Sequence, residues 1–168
     1  MNILETQRLL LRHPVMEDLD DLFAFYSDPD VVQYIPDAPR NYEETRKELE
    51  WFINGHPKFP ELGLWTTIYK ETGQFVGRCG LLPWNIDGQH EVEIAFAFSR
   101  VHWGQGLATE AARAIAQYGF EHLHLSRLIC LIDHENRGSI RVATRIGMTF
   151  EKEAKDEYGP FLIYSMTK

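Results

Sequence analysis

The segment Glu91–Thr109, EVEIAFAFSRVHWGQGLAT, decides the fold. It reads as a strand, a short connection, and a pair of glycines opening a helix, whose apolar positions (Leu107, Ala111, Ala114, Ile115, Tyr118) keep helical spacing to about Leu123. Backbone N–H groups at a helix N-terminus have no internal partner, and the helix dipole adds partial positive charge there, so such a loop suits a phosphate. Gly104 and Gly106 would let the backbone approach a pyrophosphate closely, although glycines before a helix also serve as plain turns. A dinucleotide-binding GxGxxG site fits poorly. Thr109 stands at the third glycine position, five residues separate the strand from Gly104, and the chain has no room for a second nucleotide half.

Working outward, residues 4–12 read as a first strand ended by His13-Pro14. Leu19, Leu22, Phe23 and Tyr26 recur at helical spacing behind an acidic first turn, Glu17-Asp18, and Asp28-Pro29 stops that helix. A second helix starts near Asn41, with Glu44 placed for a capping box, and carries Leu49, Trp51 and Phe52 toward Gly55. Strands follow at Leu64–Tyr69, Phe75–Trp84 and Glu91–Phe98, separated by turns at Glu71-Thr72-Gly73 and Asp87-Gly88, an antiparallel meander. Beyond the glycine loop come a strand at Leu128–Ile132, a helix from about Asn136 to Ile146, and strands near Thr149–Glu153 and Phe161–Met166 joined around Gly159-Pro160. The order βααβββαβαββ indicates an α+β sheet with helices on both faces. With 168 residues, 44% of them hydrophobic, the chain predicts one domain spanning 1–168.

Charge narrows the function. A net charge of -8 argues against nucleic acid as a partner. Residues 1–55 hold twelve Asp/Glu against five Lys/Arg, whereas 99–145 hold six Arg, no Lys and four Asp/Glu. No apolar stretch approaches the roughly 20 residues that span a bilayer and no signal pattern opens the chain, so no membrane role and a cytoplasmic location are expected. Cys79 and Cys130 stand apart from any ligand-spaced cluster, and His122-Leu-His124 is no HExxH motif; the expectation is reduced, buried thiols and no metal. No GxSxG elbow supports a hydrolase.

WGQGLATEA (Trp103–Ala111), the preceding VEIAFAF, and HENRGSIRVATRIGMTFE (His134–Glu151) resemble the GNAT superfamily of N-acetyltransferases, in particular its RimJ/RimL-like branch. ETQRLLLR and SDPDVVQYI are similar to that branch too, so the resemblance runs through nearly the whole chain. It implies a GNAT-like mixed, largely antiparallel central sheet with helices on both faces, acetyl-CoA as co-substrate, and an amine as acceptor. By the same resemblance, Phe96, Ala97 and Phe98 supply backbone bonds to the pantetheine arm, and the backbone of Gly104, Gln105, Gly106, Leu107, Ala108 and Thr109 holds the pyrophosphate. Trp103 stands where Arg or Gln is usual, and Ala95 where Gly is usual. Asn136 matches an Asn that contacts the pantetheine amide. Arg141, in the every-fourth series Arg137, Arg141, Arg145, becomes a contact for a CoA phosphate, the alternative being a solvated face.

Acylation of an amine needs a base for the nucleophile, a stabilised oxyanion, and an acid for the thiolate. Glu93, on the strand beside the cofactor, is the candidate base, and backbone N–H groups near Phe98 the oxyanion donors. A Tyr that many members use as acid falls on Ala143; in the RimJ/RimL-like branch a Ser can take that role, here Ser139. The expected reaction is direct acetyl transfer in a ternary complex, with a protein or peptide N-terminal α-amine or a small amine (amino acid, polyamine, aminoglycoside) as acceptor. The acidic N-terminal third favours a cationic acceptor. A CoA-binding regulatory module without turnover is the alternative class, and the assembly is expected to be a monomer or homodimer.

Overall fold

The structure is a computed structural model describing residues 1–168. Its centre is an eight-stranded sheet made of β1 (Asn2–Glu5), β2 (Leu9–Arg12), β3 (Gly63–Tyr69), β4 (Gln74–Ile86), β5 (Gln89–Phe98), β6 (Arg127–Ile132), β7 (Thr149–Asp156) and β8 (Gly159–Thr167). The spatial order is β1-β2-β3-β4-β5-β6-β8-β7, antiparallel throughout except where β5 lies parallel to β6. Helices α1 (Leu19–Tyr26), α2 (Pro29–Val32) and α3 (Tyr42–Phe52) cover one face, and α4 (Leu107–Glu121) and α5 (Arg137–Arg145) the other. The α+β reading is correct.

Alternation along β5 explains the two layers. Val92, Ile94 and Phe98 point into the core shared with Leu107, Ala111 and Ile115 of α4, while Glu93, Ala95 and Ala97 face α1 and α3. The meander is longer than its apolar run suggests, because the β4–β5 ladder continues from Gly77↔Phe98 to Ile86↔Gln89.

Several boundaries differ from the sequence expectation. The first strand is a hairpin, β1 and β2. Its turn carries no Gly, Pro or Asn at the break; the Thr6 hydroxyl accepts from the Leu9 N–H at 2.9 Å and closes it. Asp28-Pro29 ends α1 and also starts α2, with the Asp28 carboxylate accepting from the Asp30 N–H and Pro29 in the first helical position. Trp51 is 55% exposed while Leu49 and Phe52 are buried, since positions three apart share a helix face and the one between them does not. Asn41 caps α3 by accepting from the Glu44 N–H, but the Glu44 carboxylate reaches the Arg40 N–H, one residue short of a closed capping box. The β7–β8 turn is Glu157-Tyr158, with Gly159-Pro160 already in β8.

Asp18, expected to face a helix terminus, turns inward. Its carboxylate accepts from both terminal nitrogens of Arg12 at 2.8 Å, from the Val15 N–H at 2.9 Å and from the Thr66 hydroxyl at 2.8 Å, joining the entry to α1 to β2 and β3. Burial alone would raise its pKa, but these bonds hold it below the ordinary value of 3.8. The stabilisation is therefore present above about pH 4 and lost as pH falls through the lower folded value. We predict that Asp18→Asn costs about 3 kcal/mol near neutral pH, by leaving Arg12 without its partner. In denaturant titrations the gap between wild type and variant should close under acid conditions; a gap independent of pH would assign the loss to packing.

Candidate active site

The two parallel strands share a single registered pair, Glu93↔Ile129, and beyond it the rest of β5 as far as Phe98 has no β-partner on that side. Parallel strands joined by a crossover helix put the N-termini of α4 and α5 at the same end of the sheet, outside the opening.

Glu93 stands at the vertex of this opening. One carboxylate oxygen accepts from the Trp84 indole N–H at 3.0 Å, and the other from the Leu131 N–H of β6 at 3.4 Å. Burial pushes its pKa up to about 7 against the pull of those two bonds and of the Arg78 charge, while Asp37 pushes it further up. A carboxyl poised near neutrality suits a general base.

Gly106 caps α4 in the left-handed region at φ +78°, and Gly104 has φ +76° with open space where a side chain would be. The side chain of Leu107 is buried and that of Ala108 packs against the core, so this loop offers backbone outward. Trp103, half exposed, donates its indole N–H to the Phe98 carbonyl at 2.7 Å and ties the loop to the end of β5. The loop is braced from the far edge of the sheet by a residue the sequence reading missed. Arg8 donates through Nη1 to the Gln105 carbonyl at 2.9 Å and through Nε to Glu110 at 2.8 Å, and the Thr6 hydroxyl also donates to Glu110. Nothing in ETQRLLLR marks that arginine, because the contact spans about a hundred positions of chain.

Across the opening, Asn136 caps α5. Its amide oxygen accepts from the Ser139 N–H at 3.2 Å, and its amide nitrogen donates to the Ser139 hydroxyl at 2.9 Å. Ser139 thus keeps its own hydroxyl proton available. Ala143 is fully buried. Arg137, Arg141 and Arg145 are exposed, and none forms an ion pair within α5 or with a neighbour. The Tyr34 hydroxyl donates to the Glu135 carbonyl at 3.4 Å, drawing the chain after α2 toward the turn before α5. Cys79 and Cys130 are free and buried; burial pushes the Cys79 thiol up to about 11 and Cys130 well above its ordinary value.

Half of the acidic residues in the first third are already paired, among them Glu43 and Glu50 with Arg46, and Asp28 and Asp30 with Arg100. Asp37 and Glu48 are not; the Asp37 charge acts on both Glu93 and Glu48, and Glu48 meets the Tyr26 hydroxyl.

The acetyltransferase (GNAT) domain family matches residues 8–149. The chain belongs to the GNAT acetyltransferase family. It is 38% identical over 164 residues to the uncharacterised protein YkkB of Bacillus subtilis, covering 96% of this chain and 93% of YkkB. A GNAT-family acetyltransferase from Bacillus anthracis superposes with a TM-score of 0.85 at 28% identity, covering 99% of this chain and 98% of that one. RimL, the ribosomal L7/L12 α-N-protein acetyltransferase solved in complex with coenzyme A, superposes with a TM-score of 0.79 over 99% of this chain and 98% of its own. At 16% identity that likeness shows the fold alone, so the kinship with the RimJ/RimL branch is distant. The protein is an acetyl-CoA-dependent N-acetyltransferase.

The raised pKa of Glu93 has a consequence for stability. Between about pH 4.5 and 7 the unfolded chain ionises this carboxyl while the folded protein keeps it protonated, so stability falls as pH rises through that window. We predict that Glu93→Gln melts at a higher temperature than wild type near pH 8 and loses that advantage near pH 4. A difference that does not change with pH would mean that the carboxyl is not desolvated.

Proposed function

We propose that this enzyme acetylates primary α-amines by direct attack on acetyl-CoA, with Glu93 as the base. The observation that carries the reading is the Glu93 carboxylate itself, fixed by Trp84 and Leu131 at the vertex of the strand opening and titrating at about 7. An α-amine has a pKa near 8 and a lysine amine one near 10.4, so freeing the nucleophile at pH 7 costs roughly 1 kcal/mol for the first and about 4.6 for the second. A base of pKa about 7 is matched to the first.

The donor fits the residues present. The unpartnered end of β5 (Phe96, Ala97, Phe98) offers backbone to an extended pantetheine arm, and residues 104–109 offer the free N–H groups of a helix start to the pyrophosphate. Asn136 faces the same opening from α5, and Arg141 is free to meet a phosphate from the helix surface. In the reaction the amine nitrogen attacks the thioester carbonyl, Glu93 takes its proton directly or through water, and backbone N–H groups near Phe98 bear the developing oxyanion. The carbon–sulfur bond then breaks, and Ser139 donates its hydroxyl proton toward the departing thiolate. One domain carries both halves of the site. The acceptor arrives as an ammonium ion, drawn by Asp37 and Glu48, so rates should fall with added salt.

Two measurements test this. Gly106→Asp should weaken acetyl-CoA binding in calorimetry by about tenfold or more, through bulk, negative charge and the loss of glycine at a left-handed position; wild-type affinity in a folded variant would remove the pyrophosphate from this loop. In a thiol-release assay, a peptide with a free N-terminus should outpace the same peptide blocked at its N-terminus with its lysines free. Glu93→Gln and Ser139→Ala should slow it, each by up to about 10²- to 10⁴-fold, and Glu93→Gln should abolish the rate inflection near pH 7. Equal rates for free and blocked peptides would rule out the α-amine.

A further inference from the structure

Arg78 is the protein's one buried cationic side chain, 9% exposed, on β4 between Thr66 of β3 and Ala97 of β5. Its Nε donates to the Tyr26 hydroxyl at 2.9 Å, and the guanidinium carbon lies 5.8 Å from the centre of that ring. The Tyr26 hydroxyl also meets Glu48, whose charge favours the guanidinium from beyond ion-pair distance. Neither terminal amino group donates to a protein acceptor, and Arg78 has no carboxylate within ion-pair distance. The polar side-chain atoms that are sealed from solvent without a partner are His13 Nδ1 and Trp65 Nε1, so the terminal nitrogens of Arg78 keep contact with open space. A guanidinium enclosed to this degree with four of its five N–H donors unused is costly to bury, and a hydrocarbon side chain would pack the same place without that cost.

Arg78 stands on the face of the sheet that α1 and α3 cover. In an antiparallel ladder, paired residues share a face, so Arg78 with Ala97 and Leu82 with Glu93 stand on the same surface, about 13 Å apart along the strand. Between them stand Gly80 and Ala95, the latter clustered with Phe52 of α3 and Leu64 of β3. The charge of Arg78 acts on both Glu93 and Glu48, and Asp37 acts on both as well, so Arg78 and Asp37 lie near enough to both carboxyls to be felt there. Asp37, Glu48 and Glu93 make this region acidic, and Arg78 sets a fork of N–H donors within it.

From this geometry we infer that Arg78 binds a carboxylate of the acceptor, so that the favoured substrates are peptide N-termini with an acidic side chain close to the amine. With Nε spent on Tyr26, recognition is end-on, through two parallel N–H···O bonds from Nη1 and Nη2, a geometry an ammonium cannot copy. Carboxylate at Arg78 and amine toward Glu93 orient the nucleophile. The inference deepens the α-amine reading and rests on it.

The test is thiol release with matched peptide acceptors: Ser-Glu peptides against Ser-Gln peptides, and Ser-Asp peptides against Ser-Asn peptides. In at least one pair the carboxylate member should have a kcat/KM about 10- to 100-fold higher, mainly through KM. The pair that discriminates identifies the side chain that carries the carboxylate. Arg78→Gln should bring that ratio close to one, and Arg78→Lys should keep part of it. A purely structural arginine would lower both members of a pair alike and leave the ratio untouched, which would overturn the proposal, as would a wild type that discriminates in neither pair. If Arg78→Gln fails to bind acetyl-CoA or to fold, the wild-type ratios and Arg78→Lys decide. Acetylation confined to lysine side chains would instead count against the α-amine reading.

Discussion

Everything functional here depends on two parallel strands that meet once and part. On its other side β5 is held by a ten-pair ladder to β4, so it cannot follow β6 as the sheet diverges, and its last residues are left with one edge open. An open strand edge inside a protein is a demand for hydrogen bonds. Within the chain that demand is met locally: the Leu131 N–H turns to a side chain, Glu93, and the Phe98 carbonyl accepts an indole N–H. The rest of the edge is the natural place for an extended ligand that carries amides, and the two helix starts beside it are the natural place for that ligand's charge.

The same opening accounts for the electrostatics. Glu93 is desolvated because it stands where the sheet splits, yet its two donors hold it ionisable, so its pKa comes to rest near 7. The acidic front of the chain looks, as a sum, like a general field for cations. In three dimensions half of it is spent on internal ion pairs, and the charges that act on Glu93 are Asp37 and, opposing it, Arg78. The site is therefore of mixed sign, which a count of charges along the sequence cannot reveal.

The local signals were readable and the distant ones were not. Glycines before a helix, an alternating strand and the Asn136 cap are written in neighbouring residues, and they gave the meander, α4 with the left-handed glycines that open it, and α5. The β1–β2 break was hidden because a threonine hydroxyl does the work that glycine or proline usually announces. Trp84 looked like the end of a strand and is the donor that fixes Glu93. Arg8 and Arg78 sit in apolar strand patterns, where one arginine reads as an interruption, and only the fold brings them to Gln105 and Tyr26.

The donor side and the acceptor side differ in how they are encoded. From β5 to the end of α5 the chain runs without interruption through the open edge, the glycine loop, the Asn136 cap and the arginine face. The groups proposed for the acceptor side come from α1, the segment before α3, α3 itself and one residue of β4. On that proposal, changes in residues 19–53 reshape which amine enters and leave the proposed donor elements untouched. A scaffold divided in this way lets related enzymes diversify in what they modify without reinventing what they modify it with.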